Sequence, residues 1–192
     1  MTSLVATGQG KRAVLPTPPA VASASTVHLR RPAANPGELG ERSLLAIAEG
    51  LAHSAHWWSD LERQSGRSWQ LMVASEDFEA WVIAWPPGGA IDLHDHGDAS
   101  GAVVVTRGEL VETVVAEHAD GRVEIDTNVL SPGRSVTFCG AHVHDIVNRS
   151  TTPALSVHVY APRLTTMTFY EITDGRPETG RTVRYRLGEV TP

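Results

Sequence analysis

Between Gly88 and Gly108 the chain reads GGAIDLHDHGDASGAVVVTRG, and this stretch constrains the fold more than any other. His94 and His96 stand two residues apart, so on a β-strand both imidazoles leave the same face and can converge on one point. That is metal-ligand spacing. The run Pro86-Pro87-Gly88-Gly89 turns the chain just before the pair, and Gly101 and Gly108 punctuate the segment after it, with the apolar run Ala102 to Val105 between them. A ligand pair on a short strand boxed by turns is hard to read as ordinary core.

The surroundings suit a β-structure. After Gly66 the apolar period shifts towards two, giving expected strands at 68–74, 78–85, 101–107, 109–117, 122–129, 135–139, 154–160 and 164–171. Asp120-Gly121, Ser131-Pro132-Gly133 and Thr152-Pro153 supply turns, a rhythm that suits a sandwich or barrel. Asp174 to Gly180 reads as a polar loop, with a last strand after it from Thr182 to Leu187. Residues 1–36 are rich in Ala, Pro, Thr and Ser without sustained period and read as a disordered arm. From there Leu39, Leu44, Leu45, Ala48, Leu51, Ala52 and Ala55 fall at helical spacings, continued around Trp57, Trp58 and Leu61, so one or two helices are expected within 37–65. His53 and His56, at i and i+3, could face one metal, but nothing nearby completes a site, and helix histidines are more commonly exposed or capping. The pattern gives one domain over 37–192.

A formal charge of −6 with no Lys/Arg cluster argues against nucleic acid or an anionic membrane as partner and favours a small molecule. The single cysteine, Cys139, permits no intrachain disulfide and is compatible with a reducing cytosol. No apolar run approaches the roughly 20 residues of a membrane span, and no signal-peptide core stands at the N-terminus. A cytoplasmic location is expected.

Two histidines need at least one further ligand, and the source is Gly140-Ala141-His142-Val143-His144-Asp145-Ile146-Val147-Asn148, where either His142 or His144 can serve. Three imidazoles suit Zn, Fe, Ni or Cu, and spacing does not choose among them. Further on, Ser156, His158 and Tyr160 alternate and share one face, with Val157 and Val159 on the other. Alone this is weak, because polar alternation marks any half-solvated strand.

Taken together, Gly88, five residues, His94-x-His96, four residues, Gly101, six residues, Gly108 resembles the first motif of the cupin superfamily. The second motif ends in a histidine and, after three residues, an asparagine, which selects His144 and Asn148, although Cys139 and Ala141 replace its usual Pro and Gly. Most cupins carry a glutamate ligand where this chain has Gly101. The subfamily that dispenses with it is the cysteine dioxygenase family of thiol dioxygenases, bacterial type, and the Ser156, His158, Tyr160 run is similar to that family's hydrogen-bonded relay. The resemblance covers roughly residues 66–172. It implies a mainly β, jelly-roll-like cupin barrel with N-terminal helices, and Fe(II) held by His94, His96 and His144. It further implies O2-dependent oxidation of a small carboxylated thiol, L-cysteine first, to its sulfinate, 3-sulfinoalanine, by a monomer. Some members crosslink the tyrosine to a cysteine at the Gly101 position, which this chain cannot do.

The resemblance also frames the substrate. Cysteine-specific members place a carboxylate-binding arginine about 25 residues before the first histidine, and mercaptopropionate-type members a glutamine. Counting back from His94 lands on Trp69, flanked by Arg67 and Gln70, so either type can be restored by a small slip; Arg107 and Arg163 are weaker substitutes, and His142 is a further substrate-contact candidate. Competing readings are a dioxygenase for 3-mercaptopropionate or another thiol, a non-catalytic metal-binding cupin acting as sensor or carrier, and a cupin enzyme using another metal for isomerisation or hydrolysis.

Overall fold

The computed structural model describes residues 39–54, 61, 65–140 and 142–185. One helix, α1 (Glu41–Ala52), precedes eleven strands: β1 (Ser68–Ala74), β2 (Glu79–Trp85), β3 (Ala90–His94), β4 (Ser100–Arg107), β5 (Leu110–Glu117), β6 (Val123–Leu130), β7 (Ser135–Phe138), β8 (Val143–Val147), β9 (Ala154–Ala161), β10 (Thr166–Thr173) and β11 (Arg176–Arg184). They form two antiparallel sheets, one ordered β1-β2-β9-β4-β7 and the other β11-β10-β3-β8-β5-β6. This is the expected mainly β, cupin-type architecture.

The central strands of the five-stranded sheet, β2, β9 and β4, are buried on both faces, and strand parity explains why. On β2, Trp81, Ile83 and Trp85 point into the interior with Val103, Val105 and Ile146. Ala80, Val82 and Ala84 point outward, where they meet Leu44 and Ala48 of α1 with Val157 and Val159 of β9. Small side chains on that outer face let the helix approach closely, and a buried leucine such as Leu44 contributes about 2 kcal/mol. A sheet sandwiched in this way reads as a nearly continuous apolar run rather than as alternation, which is what β2 and β4 show.

Several expectations are corrected by the strand pairing. Asp174 to Gly180 is not a loop: Asp174-Gly175 is a tight turn and Arg176 already pairs with Thr173, so the last strand begins earlier than Thr182 and ends at Arg184. As an edge strand exposed along most of its length, β11 carries no burial alternation to read. Strand β8 is absent from the expected set because its five residues mix ligand and apolar positions. Among the described residues there is one helix, within the one or two expected, and most of the segment that would hold a second lies outside them. The helix ends at Ala52, and His53 is an exposed C-cap whose ring donates to Glu49 O at 2.7 Å. His56, Trp57 and Trp58, and the arm over 1–36, lie outside the described residues. No helix among those described is long and apolar enough to cross a membrane.

Candidate metal centre

Two strands and a turn bring the three histidines together. β3 ends at His94, which pairs directly with His144 on β8 after a bulge beyond Ile91. His96 does not share the strand as the spacing suggests; it lies just beyond the end of β3. Asp95, between the two, clamps this extension to β10. Its amide donates to Thr168 O at 2.9 Å, Oδ1 accepts from the Gly97 and Thr168 amides at 3.0 Å each, and Oδ2 accepts from Tyr170 Oη–H at 2.7 Å. Burial and the Asp95 carboxylate push the Tyr170 phenol up to about 12, so it remains a donor. Gly97 then turns the chain with φ of 58°, where a β-carbon would run into Thr166. The clamp on one side and the glycine on the other fix the backbone from which His96 projects.

His94, His96 and His144 are 2 %, 1 % and 1 % exposed, and their ligating nitrogens lie within 4.8 Å of one another. Ring tautomers are set by the partners. His94 Nδ1 lies 2.8 Å from Asp92 O, a carbonyl that can only accept, so Nδ1 carries the proton and Nε2 a lone pair. His144 Nδ1 lies 2.7 Å from Glu112 Oε1, and Nε2 of the same ring is buried with no hydrogen-bond partner, as is Nδ1 of His96. A buried nitrogen left unpaired costs about 1–3 kcal/mol, and a metal ion is the group that satisfies the lone pair of His144 Nε2. Burial pushes His94 and His96 well below the ordinary histidine range and His144 below it, so no proton has to be displaced first. The donor set fits a divalent transition metal.

Glu112, which sequence reasoning passed over, backs this centre. Burial pushes its carboxyl up, but hydrogen bonds from His142 and His144 outweigh that and hold it down at about 2, ionised and accepting only. Its Oε1 also takes His142 Nε2 at 3.3 Å, and Oε2 takes the Asn128 amide at 3.3 Å. His142 therefore stands behind Glu112, its ring stacked on Phe138 at 5.1 Å, and does not reach the cavity. Glu112, His142 and His144 also gather three ligating atoms. The short Glu112 to His144 hydrogen bond uses the facing atoms of that pair on each other.

The histidines open on a small cavity lined also by Arg67, Trp85, Ile91, His158, Tyr160 and Met167. Arg67 precedes β1, and its guanidinium lies 5.4 Å from the Trp69 ring and 5.3 Å from that of Trp85. One of its nitrogens, Nη1, is buried without a hydrogen-bond partner. Of the two residues flanking Trp69, only Arg67 is brought in. Gln70 is exposed and sits opposite Val82, on the α1 side of the sheet, because adjacent residues of a strand face opposite ways. Trp69 packs against the interior behind Arg67. Arg107 and Arg163 do not line the cavity, and Arg163 pairs with Glu79 at 3.4 Å.

β9 contributes a hydrogen-bonded chain on its inner face. Ser156 Oγ lies 2.8 Å from His158 Nε2, and His158 Nδ1 lies 3.2 Å from Tyr160 Oη; Trp85 Nε1–H donates to Ser156 Oγ at 2.8 Å. Every residue of β9 is buried, so this polar alternation is not the solvated face it resembles. Burial holds His158 down at about 3 and pushes the Tyr160 phenol far above its usual value. Tyr160 faces Gly101 across the strands, and a β-carbon on Gly101 would overlap the ring of Phe138, which stacks on His96 at 4.6 Å. The space a larger residue would need is taken by that ring.

A family described as cysteine dioxygenase type I matches residues 41–173, more than half of the chain. Among solved structures, a protein from Thermus thermophilus is 24% identical with a TM-score of 0.45, over 53% of this chain and 89% of that one. KdgF from a Halomonas species is 18% identical with a TM-score of 0.44, over 52% and 82%. A cupin superfamily protein from Desulfitobacterium hafniense is 11% identical with a TM-score of 0.43, over 52% and 80%.

Proposed function

The chain belongs to the cysteine dioxygenase type I family, and on that premise we propose that it is an iron(II)-dependent thiol dioxygenase for a small carboxylated thiol, L-cysteine first. The reaction adds both atoms of O2 to the sulfur, R–SH + O2 giving R–SO2H. His94, His96 and His144 hold the metal. Bound there, iron(II) supplies a Lewis-acidic, redox-active centre that acidifies a coordinated thiol and at which thiol and O2 can meet.

The observation that carries this reading is the juxtaposition, in one small cavity, of three neutral imidazoles and a buried guanidinium with an unpartnered nitrogen. None of the described residues lining that cavity is acidic, and the Asp92 carboxylate that acts on Arg67 is exposed, so a ligand carboxylate would give the guanidinium a counter-charge inside the cavity. A planar guanidinium receives a carboxylate through two parallel hydrogen bonds. Tyr160, kept undissociated, offers a hydrogen bond to an acceptor atom of the substrate, and Ser156 and His158 hold it in place. The apolar lining from Ile91 and Met167 keeps bulk water out and strengthens each of these interactions. Every proposed residue comes from one chain, so a monomer suffices, with residues 37–192 as the working domain; the lone Cys139 and the thiol substrate both suit the reducing cytoplasm.

Replacing His94, His96 or His144 singly with alanine is expected to remove bound iron and thiol-dependent O2 uptake together. Retained uptake in any of the three would remove that histidine from the centre.

A further inference from the structure

We infer that Trp85 is a positioning residue that sets the direction of the Ser156, His158, Tyr160 chain, so that Tyr160 meets the cavity as an O–H donor. The indole N–H of Trp85 can only donate, so Ser156 Oγ must accept at that 2.8 Å contact. Ser156 is fully buried, and its other side-chain partner is His158 Nε2 at 2.8 Å. The serine hydroxyl has one proton. If His158 carried its proton on Nε2, Ser156 would receive two donors and its own hydroxyl proton would face no acceptor in the buried interior, which leaves a buried donor unsatisfied. With Nε2 bare, the proton on Ser156 goes there, and the single proton of the neutral ring sits on Nδ1, 3.2 Å from Tyr160 Oη. Tyr160 then accepts from His158, and its own proton is left for the cavity that it lines.

Every bond of the chain thus points the same way, from Trp85 to the cavity. The face of the same indole lies 5.3 Å from the Arg67 guanidinium. Trp85 therefore touches both halves of the proposed site through different parts of one ring: its edge fixes the relay, and its face supports the cation. A phenylalanine at this position keeps an aromatic face but loses the N–H together with the rest of the five-membered ring of a fully buried side chain, so the tautomer of His158, which packing volume does not set, is the readout that separates the two roles.

The tautomer of His158 is tested directly by long-range 1H–15N correlation spectra of the full chain labelled with 15N-histidine, metal-free and loaded with zinc(II) to avoid paramagnetic broadening. The wild-type protein is expected to show His158 protonated at Nδ1 and bare at Nε2. W85F and S156A are each expected to show a second His158 tautomer. W85F should also lower kcat for thiol-dependent O2 uptake about tenfold, the scale of one lost buried hydrogen bond, while leaving KM for the carboxylated thiol within about twofold. A wild-type spectrum with the proton on Nε2 overturns the inference, as does an unchanged tautomer in W85F. If W85F does not fold, the wild-type spectrum and S156A decide the matter. What Tyr160 donates to rests on the dioxygenase reading, but the spectra do not depend on turnover, so failure of either leaves the other standing.

Discussion

Glu112 accepts the Nδ1–H of His144 at 2.7 Å, joining β5 to β8 behind the metal centre. A carboxylate in that position fixes the ring's orientation and makes its free nitrogen a better donor. Glu112→Gln keeps an oxygen that can accept the same hydrogen bond but removes the charge. Its affinity for a divalent metal, measured by chelator competition, is expected to fall about 10- to 100-fold. Undiminished affinity would reduce Glu112 to a packing residue.

Arg67 is the proposed carboxylate clamp, so its removal should discriminate between thiols. Arg67→Met is expected to raise KM about tenfold to a hundredfold for cysteine or 3-mercaptopropionate, the worth of a charge-assisted hydrogen bond, and to change cysteamine little. Steady-state O2 uptake with the three thiols measures this. Equal losses with all three would mean that the guanidinium supports the cavity wall and does not read the substrate.

Legibility in the sequence tracks strand parity closely. His94 and His96 stand out because nothing structural needs two histidines between turns, and Ser156, His158 and Tyr160 because they alternate. Parity read without faces misleads, however. Glu112 sits in LVETVV with the same parity as Leu110, an interior position, yet a glutamate on a strand is ordinarily read as the solvated side. Arg67 and Gln70 are inseparable until the pairing of Gln70 with Val82 places the latter on the α1 side. Asp95 is hidden between the two histidines because its partners, Thr168 and Tyr170, lie on β10, far along the chain. The edge strand β11 has almost no buried face to leave a pattern.

Gly101 and Phe138 occupy one space between them. Gly101→Cys is expected to destabilise the protein by about 1–3 kcal/mol, as overpacking does, because the Phe138 ring must leave its stack on His96. The variant is also expected to form no thioether with Tyr160, read as an unchanged mass after aerobic turnover. G101C with wild-type stability and a crosslink would show that Phe138 yields readily.

His158 gives a pH dependence with a defined sign. Its folded pKa is held down at about 3 against an ordinary value near 6.5, so it stays neutral in the fold while the unfolded chain takes up a proton as pH falls below 6.5. Stability is therefore full above pH 6.5 and declines below it, towards the folded pKa. Between pH 6.5 and about 5, where carboxylates remain ionised in both states, urea unfolding of the metal-free protein should take up at least one proton. His158→Gln should lessen that slope. A flat stability profile across this window would contradict a neutral, buried His158.

The most direct measurement is O2 consumption by the protein loaded anaerobically with iron(II), with cysteine, 3-mercaptopropionate, cysteamine and mercaptosuccinate offered in turn and the product identified by mass. Thiol dioxygenase activity predicts uptake matched one-to-one by sulfinate, fastest with a carboxylated thiol. Full iron occupancy with no uptake on any thiol, or uptake without sulfinate, would contradict it and leave a metal centre without this chemistry.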